Sequence, residues 1–314
     1  MKNYGLLRYK SADVNAFTSD IGIEIRKIIN RPMRFILKLA TNGKIIVECY
    51  PNLEKNKPYI FAATHSFVEE VSAILSTIDR SAYSLIGTTD QLEHNHKIYA
   101  NWITGIIYVD RKDEKSRKES ILKMERILKS GSSLLMFVEG GWNNTENLLV
   151  QKPFSGVYNL SKNNQIEVVP ISSFNEFGSK QIYIRVGDPL KLYNYDKKQA
   201  LTILRDALAT GIYNQIESYS TPIKRAELSD NAKLDFMEER RLEYLKTKWT
   251  KDVWNEELTR YLDKDEREYN AVWESMDNIN ITKDNANIMG PILVKRLEDK
   301  RYNFKDYMHK NWNK

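Results

Sequence analysis

The chain has one cysteine in 314 residues, Cys49. A lone thiol excludes an internal disulfide and, with no secretory leader to read, fits a reducing cytoplasm. It lies in the apolar run 44–50, where a buried strand cysteine is the expected reading and a nucleophile the lesser one. Long hydrophobic runs are also missing. No segment approaches the roughly 20 apolar residues that cross a bilayer, so the chain is expected to be soluble or to lie on a surface. There is no internal repeat and no low-complexity tract. Histidines number four. His94 and His96 fall close together in a polar segment without a third ligand, which reads better as a solvated loop than as a metal site, and no metal is expected. No nucleic-acid motif occurs, and the basic residues alternate with acids, so a nucleic-acid partner is not expected.

What remains is an ordinary globular composition with a basic lean. Hydrophobic residues make up 41% of the chain, enough for a substantial core, and the formal net charge is +6. That charge permits attraction to phosphates or to anionic lipid without choosing between them.

Residues 21–40 mix apolar positions (Ile21, Ile23, Ile25, Ile28, Ile29, Phe35, Ile36, Leu37, Leu39) with Arg26, Lys27, Arg31, Arg34 and Lys38. This is a basic amphipathic pattern, expected as two helical pieces divided at Pro32. It suits a membrane interface or a helix packed on the domain. From residue 41 onward, short β-branched or apolar runs alternate with helix-like stripes: 45–50, 59–63, 83–87, 105–109, 133–138, 166–170 and 182–186 as strands, with helices between them and over 200–216. Such alternation predicts an α/β layered domain with a largely parallel sheet flanked by helices, spanning 41–219 behind the N-terminal helical segment 1–40. Near Ser220 the composition changes. Four of the six tryptophans and many charges follow, and Leu242, Leu245, Trp249 and Val253 recur at helical spacing. Residues 220–314 therefore read as a helical extension, its aromatic stripe being packed core or else a lid, partner surface or interfacial contact.

The chemistry centres on Thr64-His65-Ser66-Phe67-Val68-Glu69-Glu70. An apolar strand delivers His65 to a junction, and the helix that follows can return Glu70 to the imidazole. Histidine with a carboxylate in reach is the minimum kit of a general base. Glu139-Gly140-Gly141 ends another strand, and two glycines there let the backbone approach a ligand and leave N–H groups for an oxyanion.

Four segments in this order resemble the glycerolipid acyltransferase family. They are His65-x4-Glu70, Gly105-Ile-Ile-Tyr-Val-Asp-Arg111, Phe137-Val-Glu139-Gly140 and Val168-Val-Pro170-Ile171. The resemblance covers about residues 30–215. It implies that His65 deprotonates an acceptor hydroxyl for direct attack on an acyl thioester, with Glu70 orienting the ring. It further implies that Arg111 grips an acceptor phosphate and that Glu139, Gly140 and Gly141 position the acceptor. The donor would be acyl-coenzyme A or acyl carrier protein, with no other cofactor, the acceptor a lysolipid, and the setting the inner face of the membrane. Two departures stand out. Glu70 replaces the usual Asp. Gly141-Trp142-Asn143 replaces Thr-Arg-Ser, which removes a phosphate ligand and admits a saccharide-lipid or another lysolipid acceptor, with Trp142 as an apolar or sugar-stacking face. A non-catalytic lipid-binding relative is the alternative outside enzymology.

Overall fold

The computed structural model describes residues 18–86, 105–109, 113–143, 148–176 and 179–221, with a few isolated positions beyond. The chain divides into two units, Met1–Thr259 and Arg260–Lys314, and the fold described here belongs to the first. The helical extension expected over 220–314 lies outside the described residues, as do His94, His96 and Arg111.

The apolar runs form seven strands: β1 (Lys44–Cys49), β2 (Ile60–Ala63), β3 (Ala82–Ile86), β4 (Ile106–Tyr108), β5 (Ser133–Phe137), β6 (Val168–Phe174) and β7 (Gln181–Val186). They join in one sheet of order β1-β7-β6-β2-β5-β3-β4. Every pairing is parallel except β6 with β7. Strands buried on both faces lose their polar alternation, and β2 shows this: Ile60, Phe61, Ala62 and Ala63 are all buried. Their side chains divide between two cores. Ile60 and Ala62 join Leu134, Met136 and Val168 on one face, while Phe61 and Ala63 join Leu135, Val169 and Ile171 on the other.

Helices cover both faces. The first core is closed by α3 (Glu114–Lys129), α4 (Gly156–Asn164) and α5 (Lys197–Tyr219); the second by α2 (Glu70–Thr77). Asp113 starts α3 by accepting from the Lys115 and Ser116 N–H groups, and Asp196 starts α5 from Gln199, side-chain caps that each contribute about 1 kcal/mol. Pro170 lies in an interior strand, where proline is rare. Its missing N–H falls on the β7 side, next to the Ile171–Val186 pair, where its carbonyl still accepts from the Gly187 N–H at 2.8 Å. Only the reciprocal bond to Gly187 is forgone.

The N-terminal helix differs from expectation. Asp20–Ala40 is one continuous helix, α1, with Pro32 inside it. An interior proline costs about 3 kcal/mol, and anchors on either side of it offset that cost. Before it, Ile23 is buried, Arg26 donates to the Ala82 carbonyl at 3.4 Å, and Lys27 donates to the Ser130 carbonyl at 2.6 Å. After it, Arg34 donates to the carbonyls of Ser76 and Thr77 at the end of α2, and the Thr41 and Ser72 hydroxyls meet at 2.9 Å. Ile28, whose carbonyl loses its helical partner to the proline, is 77% exposed. The helix also faces the opposite way from an ordinary packed one. Ile23, Arg26 and Asn30 point inward, while Ile21, Ile25, Ile28, Phe35, Ile36 and Leu39 are each more than half exposed.

Cys49 corrects the sequence reading. It is exposed, because β1 is an edge strand, and its thiol donates to the Val186 carbonyl.

Candidate active site

Three adjacent strands, β6, β2 and β5, run parallel at the centre of the sheet, so their C-terminal ends lie on one edge. Open α/β sheets present ligands at such an edge. His65 follows β2 there, Glu139 follows β5, and Ser173 is near the end of β6.

The chain turns over residues 66–69 and enters α2, whose first residue is Glu70. That turn brings the Glu70 Oε1 onto His65 Nδ1 in a short contact. Glu70 is wholly buried, whereas Glu69 is partly exposed, which settles which carboxylate meets the ring. A buried carboxylate is costly unless its lone pairs are filled. Here the Ser66 N–H donates to both oxygens, at 3.0 and 3.1 Å, and the Ser173 hydroxyl donates to Oε2 at 3.0 Å. With Nδ1 facing the carboxylate, its proton is held there and the lone pair falls on Nε2, the state of a general base. The imidazole remains 21% exposed.

The backbone of His65 is held as firmly as its ring. Its N–H donates to Glu139 Oε1 at 3.0 Å and its carbonyl accepts from the Asn143 N–H at 2.7 Å. Glu139 is itself buried, and its second oxygen accepts from the Gln151 N–H at 2.8 Å. The carboxylate expected at the acceptor's hydroxyls thus spans two backbone amides. Burial pushes its pKa up to about 8; the amides of Gln151 and His65 act against that shift, and nearby Glu70 adds to it.

Gly140 sits at φ +76°, and a Cβ there would lie 2.4 Å from the Phe154 ring. Only glycine fits this turn. Its N–H donates to the Phe137 carbonyl at 3.1 Å, so it closes the turn instead of standing free for an oxyanion. Gly141 is buried. Trp142 is 5% exposed and stands edge-on to the imidazole with ring centres 6.2 Å apart, while Phe137 lies 4.4 Å from it on a tilted face. The indole therefore forms part of the wall around His65 and does not present the open stacking face expected from sequence. Arg111 follows the edge strand β4 and lies outside the described residues.

Sequence reasoning missed Ser66, Asn143, Gln151 and Ser173. Ser66 acts through its backbone and the other three arrive from distant segments, so no spacing announces them.

The profile of the acyltransferase family matches residues 44–173, which contain all of these groups. Those residues are an acyltransferase-family domain. The resemblance to glycerolipid acyltransferases is thereby upheld over that stretch. Among solved structures the chain is similar to the crystal structure of the 1-acyl-sn-glycerophosphate (LPA) acyltransferase, PlsC, from Thermotoga maritima. The TM-score is 0.52 at 14% identity, over 63% of this chain and 84% of that one, a likeness of fold. No curated protein sequence matches the chain.

Proposed function

We propose that this acyltransferase moves a fatty acyl group from a thioester, borne by coenzyme A or acyl carrier protein, to a hydroxyl of a lysophospholipid or related glycerolipid. The observation that carries the reading is the contact between His65 Nδ1 and the buried, fully hydrogen-bonded Glu70. In this mechanism Nε2 takes the acceptor's hydroxyl proton as the oxygen attacks the thioester carbonyl. The C–O bond forms, the C–S bond breaks, and the imidazolium returns its proton to the departing thiolate, leaving an ester and a free thiol. Glu70 stabilises the imidazolium between the two transfers. Glu139 serves the acceptor side by fixing the His65 N–H, the Gly140-Gly141 turn leads the chain to Asn143, whose N–H holds the His65 carbonyl, and Arg111, with its planar fork of donors, grips the acceptor's phosphate. Because Trp142 is buried, the observation that favoured a saccharide acceptor loses its force.

The reaction takes place at a membrane surface in this reading. No helix among the described residues is long and apolar enough to cross a membrane. The outward apolar stripe of α1, flanked by exposed Arg31 and Lys38, instead has the make-up of an interfacial helix.

Thiol release from long-chain acyl-coenzyme A and acyl carrier protein donors, with a panel of lysolipid acceptors, tests the proposal. Release should depend on the acceptor and fall by about 10²–10⁴-fold in His65→Ala. Release that survives the substitution would remove His65 as the base. Lysolipid binding with no release in wild type would instead mark a non-catalytic relative.

A further inference from the structure

Glu70 is the residue on which the base depends, and its two oxygens are not held alike. Oε1 receives His65 Nδ1 and the Ser66 N–H. Oε2 shares that same Ser66 hydrogen at 3.1 Å and takes the Ser173 hydroxyl at 3.0 Å. The Ser173 proton is the one given wholly to Oε2 among these contacts. Ser173 belongs to β6, 103 residues further along the chain than Glu70, and lies outside the segment that carries His65 and Glu70.

Its position is fixed from several sides. Ser173 is 1% exposed, so solvent offers its hydroxyl no alternative partner. Its N–H donates to Thr64 Oγ1 at 3.2 Å, and the two hydroxyls lie 3.5 Å apart. Thr64 in turn precedes His65 and donates its own N–H to the Ile171 carbonyl of β6. The strand that holds the base and the strand that holds the carboxylate are therefore joined side chain to backbone at the level of the site.

A glutamate carboxylate has a broad preference about its last torsion and does not fix its own plane. What fixes the plane of Glu70 is a donor at each end. Without the Ser173 hydroxyl, Oε2 keeps only its share of the Ser66 N–H, the carboxylate is freer to turn away from Nδ1, and the imidazole then loses hold of its tautomer and its aim. We infer that Ser173 is a positioning residue of the acyl transfer, acting through Glu70 on His65 and touching neither substrate. This rests on the acyltransferase reading above.

The test uses the full chain labelled with ¹⁵N-histidine, in wild type, Ser173→Ala and Ser173→Thr. The chain has four histidines, and the His65 signal is the one that disappears in His65→Gln. In wild type the Nδ1 proton should resonate far downfield, as a proton held by a carboxylate does. In Ser173→Ala it should broaden or move upfield, and in Ser173→Thr it should return. In the thiol-release assay Ser173→Ala should lower kcat about tenfold to a hundredfold with both KM values unchanged, the loss of one hydrogen bond to a charged group. A Ser173→Ala protein with the wild-type resonance and the wild-type kcat overturns the inference. So does a loss in which both KM values rise and the melting midpoint drops in step, which marks Ser173 as packing alone. If wild-type protein releases no thiol from any donor, the acyltransferase reading fails, while the resonance still decides whether Ser173 holds the pair.

Discussion

The backbone N–H of His65 donates to Oε1 of Glu139 at 3.0 Å across 74 residues of sequence. One histidine is thus served by two buried carboxylates, Glu70 at the ring and Glu139 at the main chain.

Burial lifts the Glu139 carboxyl from its ordinary 4.5 to about 8. Between these values the folded chain binds a proton that the unfolded chain has released. The stability this group contributes is therefore full below about 4.5 and is lost as pH rises through about 8. Glu139→Gln carries no charge at any pH. The unfolding free energy of wild type minus that of the variant, taken from denaturant curves, should decline steadily between those values and level off above them. A flat difference would show that the folded protein keeps Glu139 ionised.

Gly140→Ala should destabilise the chain by at least about 2 kcal/mol. It places a Cβ both at positive φ and against the Phe154 ring. Adding Phe154→Ala removes the clash but not the strain, so the double variant should recover part of the loss. Strict additivity in the cycle would mean that the ring is not the obstacle.

Ile25→Glu with Phe35→Glu should abolish binding to vesicles rich in anionic lipid while leaving the melting midpoint nearly unchanged. Both residues are more than half exposed, and exposed substitutions of this kind fall within about 0.5 kcal/mol. Binding should also weaken as salt is raised. Vesicle flotation equal to wild type would assign the stripe another partner.

Cys49 should react with an aromatic disulfide reagent in the native protein at one thiol per chain, since it is the sole cysteine and lies exposed on the edge strand. Reaction only after denaturant is added would contradict that placement.

The sheet was legible from the sequence because its strands are buried on both faces and read as continuous apolar runs, β2 and β5 most clearly. The His65–Glu70 pair was legible because both partners lie on one strand-to-helix junction, five residues apart. Residues whose role comes from a neighbouring strand were not legible. Ser173 has no local signature, and Gln151 meets Glu139 through its backbone N–H. The face of α1 was hidden for a different reason. Periodicity shows that a helix has an apolar side and does not say which way that side points, and buried Arg26 and Asn30 take the inward positions that apolar residues usually fill. Pro32 misled by a local rule that anchors at both ends of the helix override. Trp142 misled because a substitution in a family block suggests a new ligand, whereas its ring packs edge-on to the histidine.

His65, Glu139 and Ser173 are supplied by three neighbouring strands, and none of the three contributes a working arrangement alone. Fraying away from these strand ends and from the first turn of α2, where Glu70 sits, leaves such a site intact, while parting any two of β6, β2 and β5 dismantles it. Turnover should then act as a gauge of the middle of the sheet. On heating, activity should hold level through opening elsewhere in the chain and vanish together with the cooperative loss of tertiary signal.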